Sequence, residues 1–195
     1  MLEFAETWRE GQRAKGKTPY ELLYNENSGW LKGTRLGLGL GVLKKVTAAD
    51  KVYIVCHGNP NGSRNIGANR GATRQSSAGI DQWEGGTLKQ YDAAGLANLL
   101  NREGLPLQFI DLRVFACGSG VVPDGSAESF AQGLAQAMRA LGYRSIRVTG
   151  YLGAVRSSYA IRQVPNQLGE YTDDRHKGVE INGEILPAHT HKVVF

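Results

Sequence analysis

Three short apolar runs alternate with amphipathic segments through the middle of the chain. The runs cover 52–56, 112–116 and 145–153, and their β-branched and aromatic residues are typical of strands buried on both faces. The segments between them, 91–102 and 126–142, repeat apolar residues at helical spacing. Strand–helix–strand alternation of this kind predicts a parallel sheet with right-handed crossovers.

Both amphipathic segments have residues typical of helix ends. In the first, Asp92 is the predicted N-cap and Gly104 ends the helix. In the second, Ser126 is the predicted N-cap and Gly142 ends the helix. A further short helix is predicted over 3–13, close to the N-terminus.

The remaining segments have weaker patterns. Residues 1–35 mix charged, aromatic and turn-forming residues and are treated as an N-terminal extension of unassigned role. Residues 58–86 are rich in Gly, Asn, Ser and Arg without a period, which predicts a long surface loop. Asn182 and Gly183 lie between alternating segments and predict a β-hairpin on the edge of the sheet. We expect residues 1–195 to form one domain.

The composition excludes several classes of protein. A hydrophobic content of 41% and a charged content of 21% are ordinary for a soluble globular domain. The net charge of +5 comes from scattered Lys and Arg residues, so no nucleic-acid partner is expected. No apolar stretch has the length of a membrane span, and the N-terminal residues lack the order of a signal peptide. We therefore expect a soluble protein. The expected setting is the cytoplasm of the producing or the target cell, and secretion by a dedicated system that reads no signal peptide stays open.

The two cysteines of the chain, Cys56 and Cys117, are too few for a disulfide scaffold, so a free reactive thiol is the more informative reading. His57 and Cys117 each follow a predicted strand, and the carboxyl ends of neighbouring parallel strands meet at one edge of a sheet. An imidazole beside a thiol can generate the thiolate that attacks a carbonyl carbon and can then protonate the leaving amine. This chemistry requires no metal and no cofactor.

Two strings of the sequence carry a family resemblance. An apolar strand ending in His-Gly, "KVYIVCHG", precedes an apolar strand ending in Ala-Cys, "LRVFACGSG". The segment "YDAAGLANLLNREG" between them resembles the intervening helix of toxin-type members. Over about residues 46–155 the chain thus resembles the caspase-like cysteine peptidases of clan CD, which include caspases, legumain and the self-processing protease domains of bacterial toxins.

The resemblance implies a fold and a set of active-site roles. The implied fold is a three-layer α/β/α arrangement around a mostly parallel sheet. The implied base is His57, the implied nucleophile is Cys117, and the amides of Gly58 and Cys117 are implied to form the oxyanion hole. The implied activity is that of a cysteine endopeptidase acting on protein or peptide substrates, as a bacterial effector or toxin domain.

Substrate selection is assigned to four further residues. In the family the segment here written "GYLGAVRSS" helps to form the pocket for the residue before the cleaved bond. Arg156 would therefore select an acidic side chain, whereas Asp173 or Asp174 would select a basic one. Trp83 is a candidate for lining the substrate cleft or, alternatively, an anchoring aromatic residue. The chain lacks the Gln-Ala-Cys context of caspases, which argues against caspase-like Asp specificity.

Two other functions share the same residues. One is a non-enzymatic, caspase-like module that binds a partner through the 58–86 segment, and the other is an acyl or peptidyl transferase that uses the same dyad. Cys56 is predicted to be a core residue. His176, His189 and His191 lack acidic or cysteine residues at metal-site spacing and are interpreted as surface histidines rather than as a metal site.

Overall fold

The structure, a computed structural model, describes residues 2–14, 16–24, 36–37, 41–70, 73–77, 80–84, 87–165 and 169–195. The α-helices of this part of the chain are α1 (Leu2–Ala14), α2 (Ala93–Arg102) and α3 (Phe130–Ala140), and a short 3₁₀ helix covers Val42–Lys45. None of these helices has the length and apolar content needed to cross a membrane.

The strands of the described residues fall into a central sheet, a short parallel pair of β1 with β2, and three smaller antiparallel units. They are β1 (Leu23–Tyr24), β2 (Leu36–Gly37), β3 (Lys51–Val55), β4 (Ile66–Arg70), β5 (Thr73–Ser77), β6 (Ile80–Glu84), β7 (Thr87–Tyr91), β8 (Asp111–Phe115), β9 (Arg147–Tyr151), β10 (Ala154–Pro165), β11 (Tyr171–Ile181), β12 (Glu184–Pro187) and β13 (Lys192–Val194).

The central sheet has the strand order β13-β9-β8-β3. Strands β3, β8 and β9 are parallel, and β13 pairs antiparallel with β9. In chain order α2 lies between β3 and β8, and α3 lies between β8 and β9. The prediction of a mixed α/β fold with a mostly parallel central sheet is therefore confirmed.

One face of the central sheet packs against α2 and α3. Alternate strand residues point to this face, and together with the helices they form the first apolar cluster, which includes Leu112, Val114, Val148, Leu96 and Leu134. The predicted cap of α2 is confirmed, because the Asp92 side chain accepts a hydrogen bond of 2.6 Å from Gly95 N. The helices on this face are the connections between the parallel strands, as a parallel sheet requires.

The predicted cap of α3 is wrong by three residues. Ser129 is the N-cap and accepts a hydrogen bond from Gln132 N at 3.3 Å. Ser126 instead donates its backbone N–H to Pro123 O at 3.0 Å, which places it in the turn before the helix. Helix α3 therefore starts about one turn later than the pattern indicated.

The opposite face of the sheet is covered by α1 together with the antiparallel sheet β10-β11-β12. The second apolar cluster lies there and contains Trp8, Phe115, Tyr151, Val155, Val179 and Ala188. The Trp8 ring meets the Phe115 ring edge to face, with 4.6 Å between the ring centroids. This layer combines a helix with an antiparallel sheet that the sequence pattern did not place there. Trp8 also ties the segment treated as an extension into the core.

The C-terminal hairpin forms but does not lie where it was predicted. Asn182 (φ 52°) and Gly183 (φ 82°) make the turn between β11 and β12, since both adopt the left-handed conformation that such turns require. The hairpin belongs to the separate sheet with β10, and the edge of the central sheet is taken by β13. The reason is the apolar face of β11, where Val179 is fully buried in the second cluster.

The segment predicted as a surface loop over 58–86 contains paired strands. β4 pairs antiparallel with β7, and β5 pairs antiparallel with β6. The second half of the segment therefore runs antiparallel to the first half. An isolated bridge between His57 and Gly67 joins this arm to the end of β3. Strongly polar, glycine-rich strands have no apolar alternation, which is why the sequence pattern did not indicate them.

Candidate active site

The ends of β3 and β8 place His57 and Cys117 at equivalent positions. Val55 and Phe115 are Cα partners in the parallel ladder, and Cys56 N extends that ladder by donating to Phe115 O at 3.4 Å. His57 and Cys117 each follow two residues after that pair. Because adjacent strands are about 4.8 Å apart, the two residues lie side by side at the carboxyl edge of the sheet.

Alternation along the strands predicts that their side chains lie on the same face. Cys56 and Ala116 belong to the first apolar cluster, whereas Cys117 packs against the second. Strand side chains alternate, so His57, which follows Cys56, points to the face that Cys117 occupies. The register therefore puts the backbones of His57 and Cys117 at neighbouring positions, and their action as a pair stays a prediction.

The backbones of Gly58 and Cys117 are in close contact. A Cβ placed on Gly58 would overlap the carbonyl oxygen of Cys117 and would lie 3.3 Å from Cys117 N. Among the described residues, neither the N–H of Gly58 nor the N–H of Cys117 donates a hydrogen bond. Two adjacent donors without an internal partner are what a developing oxyanion needs.

The turn after Cys117 is fixed by a buried serine. Ser119 Oγ donates to Val114 O at 2.7 Å and accepts from Tyr151 N at 3.0 Å. Gly118 has φ of +58° and donates its N–H to Gly153 O at 2.8 Å. Sequence analysis missed Ser119, because a serine between two glycines is typical of an exposed turn and gives no sign of burial.

The loop after His57 packs against that turn. Ser63 Oγ accepts from Asn59 N at 2.5 Å, and Gly62 N donates to Asn59 O at 2.9 Å. A Cβ on Gly62 would lie 2.8 Å from Pro123 Cα, so the loops that follow the two strands are in direct contact. Arg64 adds a hydrogen bond of 2.9 Å to Gly125 O. The loops that follow β3 and β8 thus contact each other directly beside His57 and Cys117.

The two thiols of the site differ in their surroundings. Cys56 is buried, and burial, with a smaller contribution from nearby Cys117, raises the pKa of the Cys56 thiol to about 12. Cys117 is partly exposed and unbridged. Cys56 therefore stays a neutral thiol at ordinary pH, which leaves Cys117 as the accessible nucleophile.

His57 lies at the solvent edge of the site. Loss of part of its hydration lowers the pKa of the imidazole below its ordinary value of 6.5. Within the described residues the ring makes no hydrogen bond or ion pair. A neutral imidazole at neutral pH can accept a proton, which is the state that a general base requires.

The residues assigned to substrate selection are placed less favourably. The Arg156 Nε donates to Glu180 Oε2 at 2.7 Å, and a second guanidinium nitrogen contacts the same oxygen. Selection of an acidic side chain by Arg156 would have to displace Glu180. Trp83, Asp173 and Asp174 lie on β6 and β11, and their side chains fall outside the described part of the structure.

The described side chains contain no group of three or more His, Cys, Asp or Glu residues that could hold a metal ion.

No model of a known protein family matches the chain, and no curated protein matches it.

Proposed function

We propose that the protein is a cysteine endopeptidase of caspase-like fold, with Cys117 as nucleophile and His57 as general base. The observation that carries the proposal is the register of His57 and Cys117, each two residues beyond the paired Val55 and Phe115. The amides of Gly58 and Cys117, which have no partner among the described residues, support it independently, because acyl transfer needs such donors.

The proposed reaction proceeds through an acyl-enzyme. His57 takes the thiol proton, and Cys117 Sγ attacks the carbonyl carbon of the scissile bond. The N–H groups of Gly58 and Cys117 hold the negative charge that develops on the carbonyl oxygen. His57 then gives its proton to the leaving amine, and the C–N bond breaks. Water, activated by His57, hydrolyses the thioester and regenerates the thiol.

The biological setting belongs to the same proposal. The resemblance of "KVYIVCHG" and "LRVFACGSG" to toxin-type members of the caspase-like peptidases supports a bacterial effector or toxin domain that cleaves a protein in a host or a competitor. Soluble action in the cytoplasm of the producing or the target cell fits that role.

The test is digestion of a denatured-proteome peptide library by wild type, Cys117→Ala and the matched control Cys56→Ala. New N-termini with wild type and Cys56→Ala, but not with Cys117→Ala, would support the peptidase and reveal the residue preferred before the cleaved bond. New amide linkages without new N-termini would instead favour a transferase. Identical digests from wild type and Cys117→Ala would overturn the proposal.

A further inference from the structure

The hydrogen-bond ladder between β8 and β9 stops before β8 ends. Its last Cα partners are Arg113 and Thr149, although β8 continues to Phe115. The bonds of a parallel ladder are evenly spaced, so the first missing bond can be identified from the bonds that precede it. At the start of this ladder Ile110 O accepts from Arg147 N at 2.7 Å.

The hydroxyl of Ser119 occupies the place of the missing bond. Every second residue of β8 faces β9, so a regular ladder would join Val114 O directly to Tyr151 N. Instead, Ser119 Oγ donates to Val114 O at 2.7 Å and accepts from Tyr151 N at 3.0 Å. Two hydrogen bonds in series thus replace a single bond of about 2.9 Å. The hydroxyl therefore separates β8 from β9 at the end of β8 that leads into the candidate site.

The turn that follows β8 takes over the edge of β9. In a regular ladder Ala116 N would donate to Tyr151 O, but here it donates to Val114 O at 3.0 Å. Gly120 N donates to Tyr151 O in its place, also at 3.0 Å. Gly120 lies directly against β9, since a Cβ on Gly150 would be 2.7 Å from Gly120 Cα. Residues of the turn have therefore displaced Ala116 from β9.

This displacement changes the ladder on the other side of β8, where β3 lies. Cys56 N donates to Phe115 O at 3.4 Å, and the next bond of a parallel ladder would run from Cys117 N to Cys56 O. That bond is not formed, and Cys117 N instead lies 3.3 Å from the position of a Cβ on Gly58. Of the five amides over 116–120, four donate hydrogen bonds within the described structure, and the Cys117 amide does not.

We propose that Ser119 is a positioning residue of the candidate active site: its hydroxyl interrupts the ladder between β8 and β9 and thereby leaves the Cys117 N–H free to hold the oxyanion. The inference rests on the proposed peptidase activity and assigns a further residue to the same site. Ser119 is 0% exposed, so it cannot contact a substrate and acts through the backbone of Cys117.

Replacing Ser119 with alanine tests this role. The change leaves Val114 O and Tyr151 N without the hydroxyl that joins them, and a buried donor and acceptor without partners are costly. We expect these two groups to bond directly, so that β8 closes onto β9 and the Cys117 N–H returns to Cys56 O. Because one oxyanion donor is then lost, acylation of Cys117 by p-nitrophenyl acetate should be about 100-fold slower than in wild type.

Alkylation separates this effect from a general loss of structure. Iodoacetamide reacts with the thiolate without forming an oxyanion, so the alkylation rate of Cys117 should be the same in Ser119→Ala and in wild type. A merely structural role of Ser119 would change both rates together. Equal acylation rates in wild type and Ser119→Ala would overturn the proposal and leave the peptidase standing.

Two further variants control for the loss of a buried hydroxyl. Ser129→Ala is the matched control, because Ser129 is 1% exposed and caps α3 outside the candidate site. Its acylation and alkylation rates should both equal those of wild type. Ser119→Thr keeps the hydroxyl and should recover most of the acylation rate that Ser119→Ala loses. An acylation rate in Ser119→Thr as low as in Ser119→Ala would overturn the proposal.

Amide hydrogen exchange, followed by NMR, tests the proposal without catalysis. In wild type the Cys117 N–H should exchange as fast as in an unfolded chain, whereas the four bonded amides over 116–120 should be protected. In Ser119→Ala the Cys117 N–H should become protected. Protection of this N–H in wild type, or equal exchange in both proteins, would overturn the proposal.

The wild-type exchange measurement needs no variant, so the proposal can fail even if Ser119→Ala does not fold. It is also independent of the peptidase. Absence of Cys117 acylation in wild type would overturn the proposed function, and hydrogen exchange would still report whether Ser119 controls the Cys117 N–H.

Discussion

Gly58 and Cys117 are in backbone contact: a methyl group on the Gly58 Cα would overlap the carbonyl oxygen of Cys117. The residue after the proposed base is thus in close contact with the backbone of the proposed nucleophile. Their two N–H groups, unpaired within the described structure, are positioned by the same contact. The close approach of the two backbones therefore requires a residue without a side chain at position 58.

Replacing Gly58 with alanine tests that contact. Because the new Cβ would force the loops after β3 and β8 apart, we expect kcat/KM to fall about 100-fold, as when one oxyanion donor is lost. Gly11→Ala is the matched control, since a Cβ at this position in α1 meets nothing within 4 Å. The control should retain full activity and gain about 0.5–1 kcal/mol of stability. Full activity of Gly58→Ala would show that the contact is unimportant.

The two cysteines should react with alkylating agents at very different rates. Cys56 is 7% exposed and has a pKa of about 12, whereas Cys117 is partly exposed. We expect iodoacetamide to modify Cys117 in the native protein and to modify Cys56 only after unfolding in denaturant. Peptide mapping by mass spectrometry measures both rates. Equal labelling of both cysteines in the native state would contradict the assigned environments.

The activity should depend on the protonation of His57. Because partial desolvation lowers the pKa of His57 below 6.5, the imidazole stays neutral to a lower pH than a free histidine. As the pH falls, kcat/KM should decrease along an acidic limb whose midpoint is below 6.5. The measurement is a pH–rate profile of wild type and His57→Ala, and the variant should lack this limb. A midpoint at or above 6.5 would argue against His57 as the base.

Lys177 should make the stability of the protein depend on pH. Its Nζ lies 3.8 Å from the centroid of the Trp8 ring and 3.5 Å from that of Tyr53. Burial, together with the positive charges of Arg113 and Lys51, lowers the pKa of Lys177 from 10.5 to about 7, against the attraction of the rings for the ammonium group. Between these two pH values the unfolded chain binds a proton that the folded protein does not, so the contribution of Lys177 to stability increases with pH.

The variant Lys177→Met removes this dependence while keeping the apolar contacts. Urea unfolding of both proteins at pH 7 and pH 9 gives the difference in their free energies of unfolding. We expect that difference to shift in favour of the wild type at pH 9. A difference that is the same at both pH values would mean that Lys177 has the same pKa in the folded and unfolded states.

Local patterns predicted the elements that position the candidate dyad. The apolar runs predicted both strands, although β8 is largely buried whereas β3 is only partly buried. Asp92 begins α2 with a cap formed within three residues, so it too could be predicted from neighbouring positions. By residue type, Ser126 and Ser129 are equally suitable helix caps. The backbone of Ser126 instead forms a turn with Pro123. Contacts outside α3, and not its helical pattern, therefore determine which serine caps the helix.

The missed features depend on contacts between distant segments. Lys177 meets Trp8 and Tyr53 across three separate parts of the chain, and Ser119 is buried by its bonds to β8 and β9. The hairpin over β11 and β12 was recognised from its turn, but its position depends on Val179 packing against the sheet face. Such pairings leave no periodic signal in a single sequence.

The pairing of His57 with Cys117 is tested most directly by trapping an acyl-enzyme. Wild type, Cys56→Ala and His57→Ala are mixed with p-nitrophenyl acetate, quenched in acid, and mapped by mass spectrometry, while p-nitrophenol release gives the rate. The account predicts a thioester on Cys117 in wild type and Cys56→Ala, and acylation about 100-fold slower in His57→Ala. Acylation of Cys117 at the same rate without His57, or an adduct on Cys56 in its place, would contradict it.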